Sequence, residues 1–287
     1  MKRILYATDC QAHETRALQY AFQLSLVLKA NLIVLHIYDL PPISVSTIRT
    51  PEQLQKLAQN EQEENLQKYC AKTLQIEDVD KRIHMVASRN EEVTKGILKH
   101  AAAFSVDVLI VGMKDEHTSR GLFAGNIANG LLKEITCPLL LVPNDYQYKV
   151  IHKMVYAADF EIDDLAAVQE LVSLAKPFEA SIDVVHVLTK GEHAEAARIQ
   201  RFRELLEQQI YYGAVRFESI NAETPAKGLM SYTESVNADI LAMHERSGPG
   251  FLNRLLHRDL VKKMETKVSI PLWCINKKFI AKKTKMS

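Results

Sequence analysis

The sequence predicts an α/β protein made of two tandem doubly wound sheets. Each sheet has five parallel strands in the order 3-2-1-4-5, with helices on both faces. Three observations lead there. Apolar runs such as Val108-Leu109-Ile110-Val111 and Leu139-Leu140-Leu141-Val142 are short and do not alternate, as in parallel strands buried on both faces. Between them a polar glycine loop leads into a helical pattern, Ile127, Leu131, Leu132 and Ile135. Finally, the chain repeats itself, which makes it a duplication of one α/β unit rather than a single large sheet.

The first copy reads in order as follows. Ile4 to Ala7 is a buried strand, closed by Thr8-Asp9. Ala17, Ala21, Leu24 and Leu28 mark one face of a helix. Leu32 to Ile37 is strand two, followed by a Pro-rich insert, residues 40–49. Thr50-Pro51-Glu52-Gln53 has the form of a helix start, with a threonine cap, proline at the first position and glutamine closing a capping box. Leu54, Leu57, Leu66, Tyr69 and Leu74 extend that helix, and its stretch Gln59 to Glu64 is strongly polar, so part of it is expected to project into water. Arg82 to Ala87 is strand three, and Val93, Ile97 and Leu98 mark the next helix. The segment Asp107 to Val142 supplies strand four, the glycine loop, a helix and edge strand five.

The second copy follows by arithmetic. Arg3 to Asp9 recurs as Lys153 to Asp159, and Val34-Leu35-His36-Ile37 as Val184-Val185-His186-Val187, both 150 residues later. Lys95-Gly96 and Asp107-Val108-Leu109-Ile110 recur as Lys227-Gly228 and Asp239-Ile240-Leu241-Ala242, 132 residues later. The 18 extra residues of the first copy fall on the insert and the long helix after it. The expected domains are residues 1–146 and 147–280, with a basic tail, 281–287, that reads as a frayed terminus.

Composition excludes several function classes. The chain has 287 residues and a net charge of +1 from 36 basic and 35 acidic side chains. No overall field favours nucleic acid or an anionic membrane. The N-terminus lacks the apolar region of a signal peptide, and no apolar stretch is long enough to span a bilayer. The four cysteines are scattered, which fits reduced thiols in the cytoplasm. His36 and His186 lie within buried strands and read as satisfied core histidines rather than metal ligands. No zinc-spaced set, Walker A loop or nucleophile elbow is present.

In such a sheet, ligands bind past the carboxyl ends of the strands where strand order reverses, between strands one and four. Asp9 and Gly112 end those two strands. A glycine loop entering a helix N-terminus there can hold an anion. Together, Asp9, the Val-Leu-Ile-Val strand, Gly112, Gly125 and Cys137-Pro138-Leu139 resemble the universal stress protein family in its tandem form. The resemblance covers nearly the whole chain. Nucleotide-binding members of that family carry G-x2-G-x9-G-[S/T] after strand four and an aspartate after strand one.

The resemblance implies a stress-response binding and signalling module, not an enzyme. It implies ATP or a related nucleotide, held weakly in the first copy only, with Mg²⁺ accompanying it. The implied contacts are Ala7, Thr8, Asp9, Val86, Gly112, Lys114, Gly125, Asn126 and Ile127. It further implies pairing of the two domains through edge strands; a homodimer and unnamed protein partners stay open. The motif departs from the family at two places, since its second glycine falls on Asp115 and its last position on Asn126. A carboxylate about 4 Å from phosphate costs roughly 4 kcal/mol at an effective dielectric near 20. That exceeds the roughly 1.5–3 kcal/mol of one charge-assisted hydrogen bond. Two alternatives therefore stand beside nucleotide binding: a protein-interaction scaffold without nucleotide, and a slow metal-dependent nucleotide hydrolase using Asp9 or Asp115. The second copy has His244, Ser247 and His257-Arg258 at the motif positions, and is expected not to bind ATP.

Overall fold

The computed structural model describes residues 2–11, 15–40, 50–76, 82–113, 126–160, 162–189, 196–245 and 269–284. The chain divides into two units, Met1–Tyr148 and Lys149–Ser287. The glycine loop with Asp115, the Pro-rich insert, and Ser247 to Arg258 of the second copy lie outside the described residues.

The first unit alternates strand and helix: β1 (Arg3–Thr8), α1 (Thr15–Val27), β2 (Asn31–Tyr38), α2 (Pro51–Leu74), β3 (Ile83–Arg89), α3 (Val93–Ala103), β4 (Val108–Met113), α4 (Asn126–Glu134) and β5 (Leu139–Pro143). Its strands are parallel and lie in the order β3-β2-β1-β4-β5. That is the order expected from the sequence. Right-handed crossovers put α1 and α2 on one face, and α3 and α4 on the other. The predicted box at the start of α2 forms. Thr50 Oγ1 accepts from Gln53 N–H at 3.4 Å, and the Gln53 side chain accepts from Thr50 N–H at 3.1 Å.

The second unit repeats the plan: β6 (Lys153–Ala157), α5 (Ile162–Ala175), β7 (Ser181–Leu188), α6 (Ala196–Gln209), β8 (Val215–Asn221), α7 (Pro225–Ser235), β9 (Ile240–Glu245), β10 (Leu272–Asn276) and α8 (Lys277–Thr284). The strands are again parallel, ordered β8-β7-β6-β9-β10. β6 thus sits between β7 and β9, as β1 sits between β2 and β4.

One expectation is corrected. The C-terminal lysines do not belong to a frayed tail up to Thr284, because they ride on α8. Asn276 Oδ1 caps this helix by accepting from Phe279 N–H at 2.9 Å, and its own Phe279 and Ile280 are buried. Lys283 reaches Glu170 and lies over the Phe279 ring. Capping and apolar burial outweigh the charge of the lysines. The polar stretch of α2 projects into water in part, as expected. Gln59 and Gln62 turn inward and are half-buried, while Asn60, Glu61, Glu63 and Glu64 stay exposed. Leu57, read as part of the apolar face, is itself 46% exposed.

Each Lys-Gly pair of the repeat has a steric reason. A Cβ on Gly96 would stand 2.9 Å from Ile37 Cδ1, and one on Gly228 would stand 2.7 Å from Val187 Cγ1. Ile37 and Val187 are themselves repeat equivalents. Bare backbone here lets α3 and α7 press onto the strands. At Gly228 the clash also includes Ala222 Cβ at 2.8 Å, an atom fixed to the main chain. Gly228→Ala is therefore expected to destabilise the second unit by about 1–3 kcal/mol, despite a helix-propensity gain of up to about 1 kcal/mol. Gly96→Ala has its shortest contact with the flexible tip of Ile37, the fixed Asn90 Cβ standing further off at 3.1 Å, and is expected to cost less. Urea unfolding midpoints of the two variants check the order.

Candidate functional site

The site is set by where β1 stops. Ala7 faces Val111 of β4 on one side and Leu35 of β2 on the other. β4 runs on to Gly112, which is buried and pairs with Val142 of β5. At the carboxyl edge the chain leaves β1 in one direction and β4 in the other. The crevice that results has Thr8 and Asp9 on one lip and Gly112 on the other.

The exit from β1 is tightly built. Thr8 is buried, and its Oγ1 accepts from Cys10 N–H at 2.9 Å. Asp9 Oδ1 accepts from Gln11 N–H at 3.0 Å, an aspartate turn that fixes the carboxylate at the mouth. Cys10 between them takes the left-handed conformation, φ 62°. His36 holds the turn from below, its Nδ1–H donating to the Thr8 carbonyl at 3.0 Å. Its Nε2 lies 3.2 Å from the side-chain amide of Gln62 on α2. His36 is thus a buried residue with both ring nitrogens engaged, and it positions the turn that carries Asp9.

Of the residues named from the sequence, Ala7, Thr8, Asp9 and Gly112 come together at this reversal. Asn126 is the first residue of α4, and Ile127 is half-buried in its first turn. Val86 stands apart. It pairs with Leu35, which pairs with Ala7, so two strand spacings, about 10 Å, separate Val86 from β1. Lys114 and Gly125 lie outside the described residues. A surface depression of about 320 Å³ lies further along the same edge, lined by Arg89, Asn90, Glu91 and Glu92. Its two glutamates disfavour an anion there. Among the described residues, no group of three or more His, Cys, Asp or Glu side chains is placed to hold a metal ion. No described helix is long and apolar enough to cross a membrane.

The equivalent place in the second unit is filled from within. Asp164, in the first turn of α5, is buried. Its Oδ2 accepts from Asp159 N–H at 2.9 Å, and its Oδ1 accepts from the Tyr156 hydroxyl at 2.8 Å. Arg198 donates to the Asp159 carbonyl at 3.2 Å and lies over the Phe160 ring. Phe160 occupies the place of Cys10, again left-handed at φ 60°. Its ring packs on His186, centroids 4.0 Å apart, and on Phe202 and Phe217. β9 has Met243-His244 where β4 has Val111-Gly112. Glu218 takes the place of Val86 in the sheet row.

Sequence reasoning missed Asp164, Arg198 and Phe160, and it missed Gln59, Gln62 and Tyr38 in the first unit. Only Phe160 left a trace, as a large ring aligned with Cys10 just after a repeated aspartate.

Residues 1–143 match the family model described as the universal stress protein family. The chain is similar in fold to a universal stress protein from Archaeoglobus fulgidus, with 16% identity, a TM-score of 0.66, and coverage of 96% of this chain and 98% of that one. A putative universal stress protein from Pseudomonas aeruginosa aligns at 14% identity and TM-score 0.60, over 100% of this chain and 97% of its own. A functionally unknown protein of the same organism aligns at 15% identity and TM-score 0.59, over 100% and 96%. No curated protein matches the chain. At these identities the structural likenesses speak for the fold.

The four thiols differ in a way that reports on this site. Cys10 sits half-exposed at the crevice, while Cys70, Cys137 and Cys274 are buried. Burial pushes the Cys70 thiol up to about 12. A maleimide at about pH 8 is therefore expected to label Cys10 alone in the folded protein. Peptide mass mapping checks this, and labelling of Cys70 at a comparable rate would contradict the packing.

Proposed function

Since the chain belongs, through residues 1–143, to the universal stress protein family, we propose that it is a stress-response binding and signalling module whose first domain takes ATP or a related nucleotide weakly. The second domain, residues 149–287, is a partner of the same plan that takes none. The observation that supports this is the contrast between two equivalent strand ends. In the first, the described residues at the switch point are Gly112, which carries no side chain, and the Thr8–Gln11 turn. In the second, Asp164, Arg198 and Phe160 occupy that place.

Phosphates would lie towards the N-terminus of α4, where main-chain N–H groups and the helix dipole favour negative charge. Asp9 would accept a hydroxyl at the mouth. Mg²⁺ accompanying the nucleotide would offset the charge of Asp115. Labelled ATP is expected to saturate the chain with a dissociation constant between about 10 μM and about 1 mM, more tightly with Mg²⁺ than without. Asp9→Ala is expected to weaken binding roughly tenfold through loss of a charge-assisted hydrogen bond. Asp159→Ala is expected to leave it unchanged. Absence of saturation at millimolar nucleotide counts decisively against the proposal.

Asp115, standing at the second glycine of the motif, favours one other reading, a scaffold of the same fold that binds proteins only. Binding that appears in Asp115→Gly, when the natural chain has none, would select that reading.

A further inference from the structure

Helix α2 is secured to the first unit in two different ways along its length. Its trailing half is anchored by burial, with Leu66, Tyr69, Cys70 and Thr73 all closed from solvent. Its leading half has no such anchor, since none of residues 52–65 is buried. A pair of amides joins it to the sheet. The Tyr38 hydroxyl donates to Gln59 Oε1, and Gln59 Nε2 donates to the Ala87 carbonyl at 3.0 Å. One turn later, Gln62 meets His36 Nε2. These contacts fall on the last residues of β2 and β3, at the carboxyl edge where the crevice opens. Through His36 they also connect to the turn bearing Asp9.

We infer that Gln59 and Gln62 form a latch that keeps the leading half of α2 over the strand ends of the first unit and competes with the ligand of the crevice. The inference rests on the nucleotide reading above. A planar amide presents a donor and an acceptor along one edge, as a nucleobase does. In the latched state Gln59 already engages the Ala87 carbonyl, next to Val86. A ligand reaching that edge must displace it, so only the unlatched fraction of molecules is competent and the apparent affinity falls by that fraction. Hydrogen bonds between neutral groups contribute little net stability each, and a segment without buried apolar side chains opens locally at low cost. Release therefore needs no disturbance of the buried half of the helix.

The test compares the full chain with the double variant Gln59→Ala/Gln62→Ala. ATP with Mg²⁺ is the probe, and amide hydrogen exchange is followed without nucleotide. The expected result is roughly tenfold tighter ATP binding in the variant, with faster exchange confined to residues 52–65. Equal affinities despite faster exchange would overturn the latch and leave the nucleotide reading intact. Saturation of neither protein would overturn the nucleotide reading and the latch with it. Should the double variant fail to fold, Tyr38→Phe removes one contact without touching α2. It is then expected to tighten ATP binding roughly threefold, and an unchanged affinity would overturn the latch.

Discussion

A carboxylate at the amino end of the fourth strand holds the first strand in place, and it does so in both units. Asp107 Oδ2 accepts from Arg3 N–H at 2.8 Å, while Asp107 N–H donates to the Arg3 carbonyl at 2.9 Å. Asp239 accepts from His152 and Lys153 N–H at 2.7 and 3.0 Å, and its own N–H donates to the Lys153 carbonyl at 2.8 Å. These closures join residues about a hundred positions apart in sequence, where chain entropy opposes contact most. They set β1 against β4, and β6 against β9, in register. The reversal of strand order, and so the crevice at the opposite edge, depends on that adjacency.

The backbone keeps this plan more faithfully than the side chains do. Left-handed residues recur at matching places: Cys10 and Phe160 after strand one, Lys29 and Glu179 before strand two, Ser105 and Asn237 before strand four. None is glycine, so each carries a conformational cost of about 1–2 kcal/mol. The surrounding structure imposes the turn regardless of residue type. Divergence between the copies has therefore fallen on what projects from a fixed main chain, and the strand-one exit is where it matters most.

This explains what was legible in the sequence. The strands were, because Val108 to Val111 and Leu139 to Val142 are buried on both faces and have no polar alternation to confuse them. The topology was, because the repeat supplies the same order twice. Ala7, Thr8, Asp9 and Gly112 could be singled out because they lie at or beside strand ends. The amides of α2 were not, because a run from Gln59 to Glu64 reads as a solvated face. Nothing local reveals that Gln59 and Gln62 meet Tyr38, His36 and Ala87 across the fold. The terminal helix was hidden in the same way, its buried Phe279-Ile280 pair lying among lysines. In both places the tertiary partner, and not the local composition, decides which way a side chain turns.

The two strand ends close by forces of different kinds, and the difference bears on function. The second unit uses a buried carboxylate, Asp164, joined to a hydroxyl and a main-chain N–H, and covers the turn with the Phe160 cluster. Opening it would strand a buried charge, which costs several kcal/mol, and would expose aromatic surface as well. The first unit uses neutral amides on a helix segment with no buried residue, each contact contributing about 1 kcal/mol. One closure is effectively permanent. The other lies within the free energy that a weakly bound small molecule can supply, about 4–8 kcal/mol for millimolar to micromolar ligands. On the proposed reading, ligand binding in the first copy can be coupled to a movement of α2. On that reading, a partner that distinguishes the two positions of the helix would read the state of the crevice.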